Sequence, residues 1–213
     1  WVYNSLQESK CLTSLIFATT DSDTDNIFCQ RLRAEKINFM RGSEQDVLSR
    51  YYTAALESSA DVIVRVTCDC PFIDPALIDR GIKLHFNESS NYTSNVAPPT
   101  FPDGFDFEIF SKECLVKAYR NAKSQYEREH VTPWIIEHTE GTQSNVTFDD
   151  DCLLHVHKRV TLDNEDDLKL LRTLVEEYNV NIASDAKEII NVLDEFPLLQ
   201  NLNQKHDVRI GVQ

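Results

Sequence analysis

The stretch Val62-Ile-Val-Arg65-Val-Thr67-Cys68-Asp69-Cys70-Pro71-Phe72-Ile73-Asp74-Pro75 decides how the rest of the chain is read. Its first part is a short, bounded, β-branched run, the pattern of a parallel strand covered on both faces. Its last part, Asp74-Pro75, pairs an N-cap residue with proline at the first helical position. Asp69 falls between them, at the carboxyl end of the strand, where open α/β sheets place their ligands. A carboxylate there suits a Mg²⁺ ion carrying phosphates, because Mg²⁺ takes one or two protein carboxylates and fills its shell with water and phosphate oxygens.

Strand-like and helix-like segments alternate on both sides of this stretch, the pattern of an α/β sheet. Upstream, Ser14-Leu-Ile-Phe-Ala18 predicts a strand that ends in Thr19-Thr20-Asp21-Ser22-Asp23. A helix is predicted over 24–36 with Ile27, Phe28 and Leu32 on its buried side, then a second strand at Ile37-Asn-Phe-Met40. Ser43 and Asp46 have capping-box spacing for a helix over 44–58. Downstream, the expectations are a helix over 75–86, an edge strand at 91–95 and a half-buried strand at Phe105-Asp-Phe-Glu-Ile-Phe110. Period-two alternation puts Asp106 and Glu108 on one face of that strand and Phe105, Phe107 and Ile109 on the other. Ser111 caps a helix to about 122, a further helix covers 129–138, and 145–148 with 153–157 read as a hairpin. Asn164, with Asp167 three residues on, caps a helix over 165–178, and a last helix covers 185–194. The expected organisation is a single domain over 1–200 with a loosely held tail over 201–213.

Composition narrows the function classes. The chain has 213 residues, 41% of them hydrophobic and 26% charged, ordinary for a globular domain with a sizeable core. A formal net charge of -14 excludes nucleic-acid backbone binding as an expectation. No apolar run is long enough to span a bilayer, so no membrane partner is expected. Six irregularly spaced cysteines do not resemble a secreted disulfide framework. Cys68-Asp69-Cys70 has no second Cys or His pair at zinc-site spacing. With no secretory leader read at its start, the sequence predicts a reducing, cytoplasmic setting.

Five segments then occur in order. They are Arg41-Gly-Ser-Glu44-Gln-Asp46-Val-Leu48-Ser-Arg50-Tyr51, Arg65-Val-Thr-Cys-Asp69-Cys-Pro71-Phe-Ile-Asp74, Pro102-Asp-Gly104-Phe-Asp106-Phe-Glu108-Ile-Phe110, Arg128-Glu129-His130-Val-Thr132-Pro133 and Thr161-Leu-Asp163-Asn-Glu-Asp-Asp167-Leu168. Together they resemble the cytidylyltransferase family typified by the spore coat polysaccharide biosynthesis protein F, related to the enzymes that make CMP-sialic acid and CMP-Kdo. The likeness runs from about Ser14 to Val175. It implies a nucleotide-diphospho-sugar-transferase fold, Rossmann-like, with a mixed and mostly parallel sheet flanked by helices. It also implies Mg²⁺-dependent transfer of CMP from CTP to an acidic sugar, with release of pyrophosphate, for surface polysaccharide synthesis. A homodimer is implied as well. Members open with a strand and a basic, glycine-containing loop of the type Ala-Arg-x-x-Ser-x-Arg-Leu-Pro-Gly-Lys, which holds the nucleotide. Neither has a counterpart in this sequence, so the fold is expected to lack that first strand.

The resemblance assigns roles that compete with plainer readings. Asp69 is the candidate metal ligand and Asp163 the second, against capping roles at a strand end and a helix start. Arg65 sits within the central strand and needs a partner: Asp46, Glu108 or a substrate carboxylate. Arg41 and Ser43 follow a strand as substrate-side candidates, Ser43 doubling as a cap. Asp106 and Glu108 are candidates to bind sugar hydroxyls, with a solvated sheet face as the alternative. Arg128 and His130 are candidates for the sugar pocket. His155, His157, Lys158 and Arg159 read as strand alternation and surface charge, with Lys158 or Arg159 as a further partner for a sugar carboxylate. Two rival functions remain. One is a glycosyltransferase on the same fold, for which Asp21-Ser-Asp23 supplies an Asp-x-Asp pattern. The other is a truncated, non-catalytic binding or assembly module.

Overall fold

The computed structural model describes residues 1–138, 140–147 and 155–206. Its strands fall into two sets. β1 (Phe17–Thr20) lies parallel to β2 (Phe39–Gly42). β3 (Val62–Arg65), β4 (Tyr92–Ser94), β5 (Glu108–Ser111) and β6 (Gln143–Asn145) form a mixed sheet in the order β3-β5-β4-β6. β4 and β6 run parallel, whereas β5 runs antiparallel to both β3 and β4. The described pairing of β3 is therefore antiparallel rather than the parallel pairing its composition suggests. Helices flank both sets: α1 (Val2–Leu6), α2 (Asn26–Ala34), α3 (Val47–Glu57), α4 (Pro75–Asn87), α5 (Lys112–Asn121), α6 (Gln125–His130), α7 (Pro133–His138), α8 (Glu165–Tyr178) and α9 (Ala186–Glu195). No described helix is long and apolar enough to cross a membrane.

Alternation along β5 divides the core in two. Phe107 and Ile109 enter one cluster with Ile78 and Ile82 of α4, Leu170 and Leu174 of α8, and Ile189 of α9. Phe110 enters the other with Leu48 and Ala55 of α3, Leu115 of α5 and Ile135 of α7. Both faces of the strand are thus covered, so the solvated face weighed as the alternative for Glu108 does not form. Gly81 of α4 permits the close approach: a Cβ there would lie 2.5 Å from Phe107 Cε2.

Caps fix the helix starts. Asp74 accepts from the backbone N–H groups of Ala76 (2.8 Å) and Leu77 (3.3 Å), with Pro75 in the first turn. Asn164 and Asp167 form the reciprocal capping box at α8, and Ser111 caps α5. At α3 the cap is Asp46, which accepts from Ser49 N, and the helix starts at Val47 rather than 44.

Other expectations change for identifiable reasons. The single helix expected over 129–138 is two, α6 and α7, because Val131 takes φ 71° just before Pro133. The segment expected as an edge strand is internal, since β4 pairs with β5 on one side and β6 on the other. Its polar character is met internally, with Thr93 Oγ1 3.0 Å from His85 Nδ1. On α2 only Cys29 and Leu32 are buried, and Ile27 is 80% exposed. Of the expected hairpin, 148 and 153–154 lie outside the described residues, 143–145 pairs with β4 and 155–157 is a turn. Residues 201–206 are held rather than loose: Asn203 is buried and donates to Arg159 O and Asp167 Oδ1. Residues 207–213 lie outside the described residues.

Candidate active site

Three segments distant in sequence meet beyond the end of β3: the turn Thr67–Pro71, the loop Pro102–Asp106 and the run Lys158–Asp163 that leads into α8. The backbone carbonyl of Asp69 accepts from Leu162 N (2.8 Å) and from Thr161 Oγ1 (2.9 Å). Asp103 N donates to Lys158 O (3.1 Å), and Asp103 O accepts from Val160 N (2.7 Å). Gly104 makes this junction possible. Its φ of +111° is a conformation L side chains rarely adopt, and a Cβ would lie 2.6 Å from Thr161 N.

The junction brings the two expected metal ligands onto neighbouring strips of backbone. Asp69 uses its main chain for the tie, and its half-buried carboxylate accepts from the Cys70 thiol, Sγ to Oδ1 3.6 Å. The Asp163 side chain is 53% exposed and pairs with Arg159 Nη2. Asp106 completes a carboxylate group around Cys70, whose thiol is pushed well up by burial and then by the nearby Asp106 and Asp69 charges. Carboxylates fit Mg²⁺, a hard cation that needs few protein ligands when phosphates supply the others. The described residues hold no cluster of three or more His, Cys, Asp and Glu side chains able to bind a metal by themselves. A shared ion completed by substrate oxygens is consistent with that.

Arg159 underlies the junction. Instead of lying on the surface it is buried, and it reaches three carboxylates. Its Nη1 donates to Asp103 Oδ2 (2.7 Å), its Nε to Asp167 Oδ1 (2.9 Å), and its Nη2 to Asp167 Oδ2 (2.9 Å) and Asp163 Oδ2. Burial alone would raise the Asp167 carboxyl. Bonds from Arg159, from Asn203 and from the Asp163 backbone outweigh it and hold Asp167 at about 2.

The remaining candidates have other partners. Arg65 Nη1 donates to Glu108 Oε2 (2.6 Å) directly across β3 and β5, and Tyr92 OH donates to Glu108 Oε1 (2.7 Å). Glu108, 4% exposed, is thus a buried acceptor paired with Arg65 and Tyr92. Arg128 spans α6 and α3: its Nε donates to Asp46 Oδ1 (3.0 Å), its Nη2 to Asp46 Oδ2 and its Nη1 to Tyr119 O (2.9 Å). Its fork is committed to the fold, not to a sugar acid. Arg41, inside β2, donates to Thr20 O, Asn26 Oδ1 and Ser22 O at 2.7–2.8 Å and braces the loop after β1. Ser43 is exposed and accepts from Asp46 N (3.2 Å). His130 is exposed at the end of α6, its ring 4.5 Å from that of Tyr126. In the Asp-x-Asp pattern, Asp21 N donates to Gly42 O and Asp23 Oδ1 accepts from Asn26.

Sequence reading took Arg159 for surface charge or a sugar-carboxylate partner and did not single out Asp103 or Asn203, which lie 56 and 44 residues from it. The available signal was an arginine directly before the apolar Val160 and the acid-rich start of α8.

A group of carboxylates at the rim of a helix-flanked α/β sheet is the arrangement of a nucleotidyltransferase. The cytidylyltransferase family profile matches residues 1–175, and the chain belongs to that family. It is 35% identical to an uncharacterized protein of Methanocaldococcus jannaschii over 198 residues, 93% of this chain and 80% of that protein. It is 29% identical to the spore coat polysaccharide biosynthesis protein SpsF of Bacillus subtilis over 185 residues, 86% of this chain and 76% of that one. The fold superimposes on a cytidylyltransferase structure from Leptospira borgpetersenii with TM-score 0.84 and 28% identity, covering 92% of this chain and 82% of the other. A CMP:2-keto-3-deoxy-manno-octonic acid synthetase solved with CTP shares the fold at TM-score 0.60 and 10% identity, covering 83% and 86% of the two chains.

Proposed function

We propose that this chain transfers CMP from CTP to a sugar, with release of pyrophosphate, in the synthesis of a surface polysaccharide. Membership of the cytidylyltransferase family supports the nucleotide chemistry. The observation that carries the site is the bond from Leu162 N to Asp69 O, which ties the turn holding Asp69 to the run holding Asp163.

In this reading Asp69 and Asp163 hold Mg²⁺, which when bound neutralises phosphate charge and orients the triphosphate. The chain's own contribution is positional. Asp69 and Asp163 are fixed by backbone ties and by Arg159, so little reorganisation is needed on binding. Asp106 faces the same rim and is the remaining candidate for a sugar hydroxyl. The two arginines expected to meet an acid group on the sugar, Arg65 and Arg128, are paired with Glu108 and Asp46. The reading therefore keeps a hydroxyl-bearing sugar and does not carry its acidity further. Self-association belongs to the proposal, and a monomer in sedimentation at high concentration removes it.

The test is product analysis with CTP, Mg²⁺ and a panel of sugars. Pyrophosphate and a CMP-sugar are expected. Release of a nucleotide from a nucleotide sugar without pyrophosphate would assign the chain to the glycosyltransferases instead.

A further inference from the structure

The run 158–160 has two backbone edges, and they are satisfied differently. On one edge, Lys158 O and Val160 N bond to the main chain of Asp103. On the other, Arg159 N donates to Gln200 Oε1 (3.0 Å), and Arg159 O accepts from Asn203 Nδ2 (3.2 Å). Two side chains of the segment 197–206 thus close this edge where a strand could have done so. The Asn203 amide also donates to Asp167 Oδ1 (2.8 Å). It therefore clasps Arg159 by its backbone, and with it the carboxylate that grips the guanidinium from Nε and Nη2.

The segment is anchored on both sides of these contacts. Leu199 belongs to the core cluster that holds Val160 and Leu170. Lys205 Nζ (2.8 Å) and His206 Nε2 (3.0 Å) reach Asp166 Oδ2 in the first turn of α8. Asn203 itself is 0% exposed, and its Oδ1 is buried with no hydrogen-bond partner among the described residues. An apolar side chain would fill the same space without leaving an acceptor unpaired. What the asparagine adds is its two donated bonds, and both end on the Arg159 network.

The consequence falls on Asp163. Its side chain is 53% exposed and is held by Arg159 Nη2. A carboxylate in that position takes its orientation from the guanidinium, and the guanidinium takes its own from the backbone and acids around it. We infer that Asn203 is a positioning residue for the transfer reaction: with Gln200 it locks Arg159, and through Arg159 it presets Asp163 for Mg²⁺. This rests on the reading of Asp163 as a metal ligand given above. Outer partners that orient a metal ligand tune its affinity for the metal, because a preset ligand needs less reorganisation on binding. The family profile matches residues 1–175, and both Gln200 and Asn203 lie beyond it.

The experiment uses the full chain and two readouts. In the metal-free chain, Asn203→Ala is expected to speed amide exchange at Val160, Leu162 and Asp163 by about tenfold, and Gln200→Ala by about threefold, the range for losing one or two neutral hydrogen bonds. In calorimetry with CTP, the Mg²⁺ concentration at half-saturation is expected to rise by about the same factors. Leu199→Ala is the control: it loosens the segment through the core without cutting either bond to Arg159. It is expected to lower the urea midpoint and to leave the Mg²⁺ half-saturation unchanged. Asp163→Asn reports on the underlying reading and is expected to weaken Mg²⁺ more than either brace variant. If Asn203→Ala does not fold, Gln200→Ala decides. Parent-like Mg²⁺ half-saturation in the folded brace variants, beside a weakened Asp163→Asn, overturns the inference and leaves the reading of Asp163 standing. An equal rise in Leu199→Ala reduces the segment to a support of the fold and overturns the inference too. An Asp163→Asn chain that titrates like the parent removes the reading of Asp163, and the inference falls with it.

Discussion

The backbone carbonyl of Asp69 accepts a 2.8 Å hydrogen bond from the backbone N–H of Leu162, across 93 positions of sequence. This bond, with the one from Thr161 Oγ1, fixes the turn after β3 against the run that leads into α8. It is made by main chain, so it survives substitution of the Asp69 side chain. Fold and ligand chemistry can therefore be separated at this residue.

Gly104 is the point where the junction is most easily broken. Gly104→Ala must accept φ +111° and a Cβ 2.6 Å from Thr161 N and Val160 C. Backbone strain of this kind costs about 1–3 kcal/mol before the clash is relieved. We expect a loss of at least about 2 kcal/mol in urea unfolding. We also expect faster amide exchange at Leu162.

Arg159→Met removes the cation shared by Asp103, Asp163 and Asp167 and leaves buried Asp167 without its counter-ion. Breaking one side of a buried pair costs about 3–5 kcal/mol. The double variant Arg159→Met/Asp167→Asn is expected to recover part of that loss, measured as a coupling energy in a double-mutant cycle.

The same logic applies to Glu108→Gln, which leaves Arg65 buried beside a neutral acceptor. The expected outcome is destabilisation of roughly 3–5 kcal/mol. In fully folded protein at low temperature, the apparent KM for the sugar should be unchanged. A selective rise in that KM would restore Glu108 as a sugar ligand.

Acid should weaken the fold through Asp167. Its folded value of about 2 lies below the ordinary 3.8. A depressed carboxyl contributes stability above its unfolded value, and that stability is lost as pH falls through the folded value. Asp25 is also held at about 2, by Thr19 Oγ1 and then by the Thr20 hydroxyl and backbone N–H. It is far more accessible to solvent and contributes less. The urea midpoint of the parent chain should therefore fall between about pH 4 and pH 2. Asp167→Asn should start lower and flatten that slope, and Asp25→Asn should change it little.

Local chemistry was legible in the sequence because its partners are close in the chain. Asp74-Pro75 and Asn164 with Asp167 name their helices, and both caps form as read. Arg65 demanded a partner and Glu108 was among the three considered, since a buried charge in a strand has few choices. Burial and long-range pairing were not legible. Tyr92-Thr-Ser looked like an edge because its hydroxyls suggest solvent, yet Tyr92 OH and Thr93 Oγ1 are bonded to Glu108 and His85. Arg159 looked like surface charge because its acids are spread from Asp103 to Asp167. Ile27 looked buried by helical spacing, but α2 buries only Cys29 and Leu32. The carboxylate Asp69 could be named from its place after a strand. That the run holding Asp163 is tied to the turn holding Asp69 depended on the bond to Leu162, which no local pattern encodes.

The most direct test is calorimetric titration of CTP into the parent chain and Asp69→Asn, each with and without Mg²⁺. The account predicts Mg²⁺-dependent CTP binding by the parent chain. It predicts loss of that dependence in Asp69→Asn, with an unchanged urea midpoint. Equal CTP binding by both chains, indifferent to Mg²⁺, would contradict the assignment of Asp69 and with it the proposed site.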